Sequence, residues 1–344
     1  MAAIETPLLS VIIPMYNAQN TIKRCILSVC RENMNNIEII CVDDGSTDRS
    51  ASIVEEMSKS DRRIQLIKQP NRSAGAARNC GLLQAQGKYV HFLDADDQIC
   101  QGIYSREISS IQKHNADICI FQYMSYDGVT EKLRKRHCLL QHKRITSFEE
   151  DPAFFIYNMV APWNKIYRRN WILKNNLWFD EIPRGNDRGF YFRMLAANGK
   201  IILSMNYGVI YQENNSKSLT GTNRYRYLES LFFAWKSSMD AMTNQPLHVQ
   251  AMVLDCIIAD LFLLLRHTPL DKREETAQKL REKFTQTDLS LISNLPFPCL
   301  WEEDMKKLFS GKSPRKNKKI CSCILSTYKK WGLRGCIIKA FLLL

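Results

Sequence analysis

The first hundred residues alternate between strand-like and helix-like segments, and this alternation restricts the chain to few folds. Apolar runs typical of buried strands occur at residues 8–13, 37–42, 64–67 and 89–93. Apolar residues recur at helical spacing between these runs, as in the segment 22–30. Strands that alternate with helices form parallel β-α-β units. The sequence therefore predicts an α/β fold with a mostly parallel sheet flanked by helices.

Polar clusters follow three of the predicted strands, at residues 14–17, 43–46 and 94–97. In open parallel sheets, ligands bind beyond the carboxyl ends of the strands. The last cluster contains Asp94, Asp96 and Asp97, and such crowded acids require a cation or hydrogen-bond donors. Mg²⁺ and Mn²⁺ prefer oxygen ligands and bridge carboxylates to phosphates. The pattern favours a metal-held nucleotide diphosphate, with an ordinary Asp-rich turn as the alternative.

Four segments of this region resemble the motifs of family 2 glycosyltransferases, in the family's order and spacing. They read SVIIPMYN at 10–17, VDDGSTD at 42–48, AGAARNCG at 74–81 and FLDADD at 92–97, so the resemblance covers roughly residues 8 to 100. It implies a GT-A fold, which is a Rossmann-like sheet flanked by helices. It also implies a UDP-sugar donor and a Mn²⁺ or Mg²⁺ cofactor.

The resemblance assigns nucleotide contacts to several residues. Asp44 would read the base with Asp43 beside it, although Asp43 could equally cap the next helix. Tyr16 would offer a flat face to the base or serve as a core or turn residue, and Arg78 would pair with uracil oxygen or phosphate unless it is a solvated side chain. Lys217, in a segment similar to the family's flexible loop, would meet the diphosphate or remain in solvent. The full nucleotide-binding set is Pro14, Tyr16, Asn17, Asp43, Asp44, Arg78, Asp94, Asp96 and Lys217.

The acids of the third cluster resemble the family's metal-binding group, in which ribose contact and metal coordination are shared. The sequence does not divide these tasks among the three carboxylates. Asp96 and Asp97 are predicted to coordinate the ion directly.

The later motifs resemble the acceptor side of the same family. Asp187 matches the carboxylate that removes the acceptor proton in an inverting transfer. Asn186 stands where the family usually has Glu, so either the acceptor contact differs or the activity is weaker. The helix after Asp187 is expected to hold it rigidly against the sheet. The alternative is that Asp187 only begins that helix.

A segment with Trp163, Asn164 and Lys165 is predicted to bind the acceptor. The indole would stack on a sugar face, and the two polar side chains would reach its hydroxyl groups. A core position for the Trp is the alternative reading.

The carboxyl-terminal third has helical periodicity. We predict a GT-A domain over residues 1–222, with a nucleotide half at 1–100 and an acceptor half at 101–222, and a helical extension over 223–344. Residues 315–319 are RKNKK and precede an amphipathic stretch. Basic residues beside large apolar ones favour docking on an anionic membrane, with packing on the domain or on a second subunit as the alternative.

Composition limits the remaining function classes. The net charge of +13 is concentrated at 132–144 and from residue 306 onward, but no nucleic-acid-binding module is recognisable. The twelve cysteines include no C-x-x-C pair and are expected to be structural thiols in a reducing cytosol. The amino terminus lacks the features of a signal peptide, and Asp255 and Asp260 interrupt the apolar run 251–265. The chain is thus predicted to be cytoplasmic, with peripheral association at the inner face of the membrane.

Together these observations predict a metal-dependent, inverting glycosyltransferase. It would move a hexosyl or N-acetylhexosaminyl group from a UDP-sugar to a glycan or lipid-linked acceptor in surface polysaccharide synthesis. A non-catalytic sugar-nucleotide scaffold is one rival, motivated by Asn186. A nucleotidyltransferase is the other, although the first loop, residues 14–20, has neither the glycine nor the basic residue that binding a triphosphate favours.

Overall fold

A computed structural model describes residues 6–32, 34–127, 132–136, 145–213 and 227–283, and all structural statements below refer to these residues. They form two compact units. The first contains residues 1–151 and 158–221, and the second contains 152–157 and everything from 222 onward. The predicted division, between residues 222 and 223, lies one residue from this one and does not separate the segment 152–157.

The amino-terminal half of the sheet is parallel, as predicted. Its strands are β1 (Leu9–Met15), β2 (Ile37–Asp43), β3 (Ile64–Lys68) and β4 (Tyr89–Phe92), in the spatial order β3-β2-β1-β4. The helices between them are α1 (Ile22–Cys30), α2 (Ser50–Ser60) and α3 (Ala74–Gln84). Met15 is in register with Asp43, and Ile12 with Phe92. The polar residues that follow these strands consequently emerge at one edge of the sheet.

The remaining strands extend the sheet with mixed directions. They are β5 (Gln98–Ile99), β6 (Ile118–Asp127), β7 (Lys132–Arg136), β8 (Ile145–Thr146), β9 (Lys165–Arg168) and β10 (Ile201–Glu213). β9 is antiparallel to both β4 and β6, so β6 runs in the same direction as β4. β10 is parallel to β6, with register shifts between Ser204 and Val209, and β5 pairs antiparallel with β10. The order continues from β4 as β9-β6-β10-β5, while β7 pairs with β6 and β8 with β10.

Further helices cover this half of the sheet. They are α4 (Ile103–His114), α6 (Arg169–Lys174) and α7 (Asn186–Ala196). Alternate residues of β1 point to opposite faces. Val11 and Ile13 belong to the apolar core that includes residues of α1 and α4. On the other face, a Cβ at Gly81 of α3 would lie 2.4 Å from the Ile12 side chain, so only glycine allows α3 to pack this closely.

The second unit is helical. It contains α5 (Pro152–Ile156), α8 (Leu228–Ala241), α9 (Leu247–His267) and α10 (Arg273–Lys283). Tyr157, just after α5, donates a hydrogen bond of 2.8 Å to Asp255 on α9. Leu228 and Trp235 of α8 are buried. No helix in the described part of the chain is long and apolar enough to cross a bilayer, and the basic amphipathic tail at 315–344 lies outside that part.

The cysteine thiols of the first unit fit the predicted structural role. Cys25 and Cys41 are buried, and burial raises the pKa of both thiols well above its ordinary value. Partial burial also raises the pKa of Cys30 and of Cys100 to about 11. Since thiolates are the reactive form, these side chains behave as small apolar residues at neutral pH.

His91 connects β4 to its surroundings through two buried hydrogen bonds. Its Nε2 lies 2.7 Å from the Trp163 carbonyl oxygen and its Nδ1 lies 2.8 Å from the Tyr104 hydroxyl. A carbonyl oxygen only accepts, so Nε2 carries the proton and Nδ1 accepts from Tyr104. Complete burial of the imidazole lowers the pKa of His91 to about 4.

This pKa predicts a pH-dependent stability that His91→Gln removes. Between pH 6.5 and about 4 the unfolded chain binds a proton that the folded chain excludes, so stability falls as the pH is lowered through this range. The contribution of His91 to the loss is expected to be about 2 kcal/mol at pH 5 and about 3 kcal/mol at pH 4. Urea unfolding of the wild type and of His91→Gln at pH 7.5 and 5 measures it. His248→Gln, which alters an exposed histidine, should keep the wild-type slope, and an unchanged slope in His91→Gln would contradict the assignment.

Candidate active site

The loops after β1 and β2 are joined by Asn17. Its Oδ1 accepts a hydrogen bond of 2.9 Å from the Thr47 amide, and its own amide donates to Ser46 Oγ at 2.9 Å. Asn17 has a left-handed backbone, with φ of 51°, which asparagine tolerates better than most residues. The residue before it, Tyr16, is 52% exposed at the end of β1. Asn17 therefore fixes the loop that presents the Tyr16 ring, while Pro14 is buried within β1.

The two carboxylates after β2 also organise loops. Asp43 accepts a hydrogen bond of 3.1 Å from the Ser46 amide. Asp44 accepts three, from Gln69 Nε2 at 2.7 Å and from the amides of Arg72 and Ser73 at 2.9 and 3.0 Å. These three hydrogen bonds fix the loop that leads into α3. A carboxylate has about four acceptor sites, so Asp44 can accept a hydrogen bond from one further donor.

The acidic turn after β4, residues 94–97, places its three carboxylates in different environments. Asp94 is partly exposed and forms an ion pair of 2.6 Å with Arg78. Asp96 is also partly exposed, and its carbonyl oxygen accepts a hydrogen bond of 3.0 Å from Arg24 on α1. The same Arg24 nitrogen donates to Gln212 of β10 at 2.9 Å. Two guanidinium groups thus offset the negative charge of the turn.

Asp97 is fully buried beneath this turn. One carboxylate oxygen accepts a hydrogen bond of 3.0 Å from the Gln212 amide. Burial, followed by the charges of Asp94 and Asp96, raises the pKa of Asp97 well above its usual range. Asp97 thus differs from the partly exposed Asp96 in its burial and in its hydrogen bond to Gln212.

The residues present fit a hard divalent cation. Asp94 and Asp96 offer partly exposed carboxylate oxygens, and Mg²⁺ is usually held by one or two carboxylates together with substrate phosphates. Within the described residues there is no cluster of three or more protein ligands.

Arg78 connects the acidic turn to α7. Besides its contact with Asp94, the guanidinium donates a hydrogen bond of 2.8 Å to Asn186 Oδ1 and lies 5.2 Å from the centre of the Phe179 ring. Arg78 is only 6% exposed. The sequence assigned it to uracil or phosphate, whereas its contacts in the structure are with protein groups. Asn186, the residue that departs from the family pattern, is the neutral partner of this cation.

Asp187 lies in the first turn of α7, directly after Asn186, and is partly exposed. The helix begins after Gly185, whose φ of 76° is readily adopted only by glycine. Phe190 stacks on Phe179 with ring centres 4.1 Å apart. Four apolar residues that follow Asp187 on α7 are buried: Phe190, Tyr191, Met194 and Leu195.

The attachment of α3 to the segment before α7 was not predicted from the sequence. Two hydrogen bonds of 2.9 Å join Asn79 to Phe179. The Phe179 backbone amide donates to Asn79 Oδ1, and Asn79 Nδ2 donates to the Phe179 carbonyl oxygen. Gly75 packs so closely that a Cβ there would lie 2.1 Å from the Asp180 carbonyl oxygen. Gly75 and Asn79 both belong to the motif at 74–81, whose small residues are the one feature of the sequence that indicates close packing there. This attachment brings Asp187 and the acidic turn to the same edge of the sheet.

The predicted acceptor role of Asn164 and Lys165 does not fit the structure, because both side chains are fully buried. Lys165 Nζ donates to the carbonyl oxygens of Met159 and Ala161 and to Asn164 Oδ1, at 2.6–2.9 Å. Trp163 is buried too, and it stacks on Tyr211 with ring centres 5.3 Å apart. These three residues support the loop from inside, which for Trp163 is the core position given as the alternative reading. Lys217 lies outside the described residues.

Residues 10–174 match the model of glycosyl transferase family 2. This segment is a family 2 glycosyltransferase domain. The match favours glycosyl transfer over the nucleotidyl transfer that the fold also permitted.

Two curated relatives illustrate the similarity. The uncharacterized glycosyltransferase EpsJ of Bacillus subtilis is 32% identical over 62% of this chain and 63% of its own length. Glycosyltransferase GlyA of Streptococcus pneumoniae is 29% identical over 69% of this chain but only 35% of its own length. The chain thus spans less than two thirds of both relatives.

Solved structures of similar fold include TarS 1–349 of S. aureus, with a TM-score of 0.69 at 17% identity over 94% of this chain and 91% of that chain. A complex of the same protein with UDP also has a TM-score of 0.69, and a complex with UDP-GlcNAc has a TM-score of 0.63. The family 2 domain therefore has the predicted GT-A fold.

The close approach of α3 to Asp180 predicts that Gly75→Ala is harmful. Gly to Ala within a helix ordinarily stabilises by about 0.4–1 kcal/mol. Here the added Cβ overlaps the Asp180 carbonyl, so we expect destabilisation of about 1–3 kcal/mol and weaker UDP binding. Urea unfolding and UDP titration measure both effects. Gln84→Ala, at an exposed position of α3, is the control, and a Gly75→Ala variant more stable than wild type would contradict the packing.

Proposed function

We propose that this protein transfers a hexosyl or N-acetylhexosaminyl group from a UDP-sugar to a hydroxyl group of a glycan or lipid-linked acceptor, with inversion at the anomeric carbon. One observation carries the proposal. Arg78 binds both Asp94 of the acidic turn and Asn186 beside Asp187. A diphosphate-binding group and a candidate base are thereby held at one edge of the sheet.

The donor would lie across the ends of β1, β2 and β4. Tyr16 offers an exposed ring for the base, and Asp44 has acceptor capacity left for a base or ribose donor. Asp94 and Asp96 would hold a Mn²⁺ or Mg²⁺ ion, with Asp97 buried beneath. A bound divalent cation neutralises charge that develops on a departing nucleotide diphosphate. The UDP and UDP-GlcNAc complexes of TarS support this choice of donor.

Asp187 would act on the acceptor side. Its carboxylate accepts the proton of the acceptor hydroxyl as that oxygen attacks the anomeric carbon from the face opposite the leaving diphosphate, which inverts the configuration. The stacked contact between Phe190 and Phe179 fixes α7 against the rest of the domain. The carboxylate is therefore held in place before the acceptor arrives.

We further propose that the reaction belongs to surface polysaccharide synthesis at the cytoplasmic face of the membrane. The kinship with EpsJ and GlyA supports glycosyl transfer, and the basic tail at 315–344 motivates the placement.

Asp187→Asn tests the base. Loss of the proton acceptor is expected to lower the rate of metal-dependent transfer or of UDP-sugar hydrolysis by about 10²–10⁴-fold. UDP affinity in the presence of Mn²⁺ should not change, because Asp187 does not belong to the nucleotide loops.

Asp271→Asn makes the same chemical change at an exposed position of the second unit and should leave the rate unaltered. A neutral Asn186 next to the base also motivates a non-catalytic nucleotide-binding scaffold. That alternative is favoured if the wild type binds UDP but turns over no UDP-sugar with any acceptor extract.

Asp96→Asn and Asp97→Asn separate the two carboxylates predicted to bind metal. We expect Asp96→Asn to abolish the enhancement of UDP binding by Mn²⁺, because it removes a partly exposed anionic ligand. Asp97→Asn should preserve that enhancement, since an amide oxygen can still accept the Gln212 amide hydrogen bond. Calorimetric titration of UDP with and without Mn²⁺ distinguishes them, and the reverse pattern would identify Asp97 as the ligand.

A further inference from the structure

The short strand β7 is an exposed basic surface that the proposed reaction has not used. Four of its five residues are Lys132, Arg134, Lys135 and Arg136, and the first three are exposed. It is the described part of the basic segment 132–144 found in the sequence. Such a concentration of cations on an ordered strand points to an anionic ligand.

The topology places β7 at the edge of the sheet that carries the acidic turn. β9 pairs with residues 118–120 of β6, whereas β7 pairs with residues 123–127, further along β6. Since β6 runs in the direction of β4, its second half extends beyond the carboxyl ends of the parallel strands. β7 and the second half of β10 flank that extension.

Hydrogen bonds connect this extension to the acidic turn. Arg136 donates to Ser125 Oγ at 2.9 Å and forms an ion pair of 2.6 Å with Glu213. The neighbouring residue, Gln212, donates its amide to Asp97. Adjacent strands are about 4.8 Å apart, so β7, two strands from β10, is roughly 10 Å from Gln212. That separation suits a ligand that extends from the reaction centre.

The extension combines cations with aromatic rings. Arg134 and Arg136 alternate with Lys135 along the strand, so the two arginines share a face with Tyr123 and Tyr211, both partly exposed. Trp163 packs behind both rings, with centres 4.9 Å from Tyr123 and 5.3 Å from Tyr211. Trp163, which was predicted to stack on a sugar, instead supports Tyr123 and Tyr211, and these two partly exposed rings are available to pack on a sugar.

Acidic residues offset only part of the charge. Glu213 contacts Arg136, and Asp127 lies 4.0 Å from Arg134, which remains 51% exposed at its side chain. Among the described residues of this surface, the four cations outnumber these two acids. Tyrosine rings pack on sugar faces, and guanidinium groups bind phosphate or carboxylate. A surface with both is suited to a charged glycan.

We propose that β7, with Tyr123 and Tyr211, binds an acceptor glycan that carries phosphate or carboxylate groups. The inference rests on the proposed function and specifies its acceptor class. Two observations favour a glycan over a lipid surface. Aromatic rings lie beside the arginines, and β7 is roughly 10 Å from Gln212, which contacts Asp97 of the acidic turn.

The test compares binding of a fluorescent alginate oligosaccharide, which carries a carboxylate on every sugar, with a neutral maltodextrin of equal length. We expect the wild type to prefer alginate. Lys132→Glu/Arg134→Glu should weaken alginate binding by about tenfold or more and leave Mn²⁺-dependent UDP binding unchanged. Lys59→Glu/Lys113→Glu, the same charge reversal at exposed positions on α2 and α4, should retain alginate binding. Lys132→Gln/Arg134→Gln provides the same comparison if the glutamates prevent folding.

Several results would overturn the proposal: no alginate binding by the wild type, equal binding of maltodextrin, or equal losses in the two charge-reversal variants. Vesicles of phosphatidylcholine and phosphatidylglycerol that bind the wild type more tightly than alginate, and lose binding only in the β7 variant, would identify a membrane contact instead. Failure of the wild type to bind UDP with Mn²⁺ would refute the proposed function itself. Intact UDP binding with unaltered alginate binding in the β7 variants refutes only the acceptor proposal.

Discussion

The buried guanidinium of Arg78 is the interaction on which the arrangement of the candidate site depends. It joins Asp94, at the end of β4, to Asn186, at the start of α7. These residues are far apart in the chain, and the shared cation connects the acidic turn to Asn186 and so to the neighbouring Asp187. A buried cation must keep its partners, because stranding it costs several kcal/mol. Its position is reinforced by the Asn79–Phe179 hydrogen bonds and by the absence of a side chain at Gly75.

Charge compensation explains how three acids occupy one turn. Arg78 pairs with Asp94, Arg24 approaches the turn from α1, and Asp97 is buried with a raised pKa. The turn consequently carries less negative charge than its sequence indicates. Asp94 and Asp96 remain partly exposed at this turn. Gln212 contacts both Asp97 and Arg24, so the acidic turn is also linked to β10 and the basic extension that we propose for the acceptor.

The positions of the parallel strands were predictable from periodic apolar residues. The environments of individual polar side chains were not, because burial by distant segments decides them. Alternating apolar runs located the parallel strands, and the polar clusters after them marked the site edge. A core position for Trp163 was one of the two readings, whereas the burial of Asn164 and Lys165 was not predicted. The residues next to a lysine in the chain do not show whether it is buried against three oxygen acceptors or exposed to solvent. The same limit applies to Arg78 and to His91, whose environments are made by segments distant in the chain.

The sequence by itself determined the α/β class, the edge at which polar residues gather and the identity of the carboxylates available there. These properties follow from local periodicity and from the direction of parallel strands, which neighbouring residues specify. Only the tertiary structure decided that Asp97 is buried while Asp96 is partly exposed, that Arg78 binds protein rather than solvent, and that Asn186 is its partner. The reason is that desolvation and hydrogen bonding depend on which distant segments pack around a group.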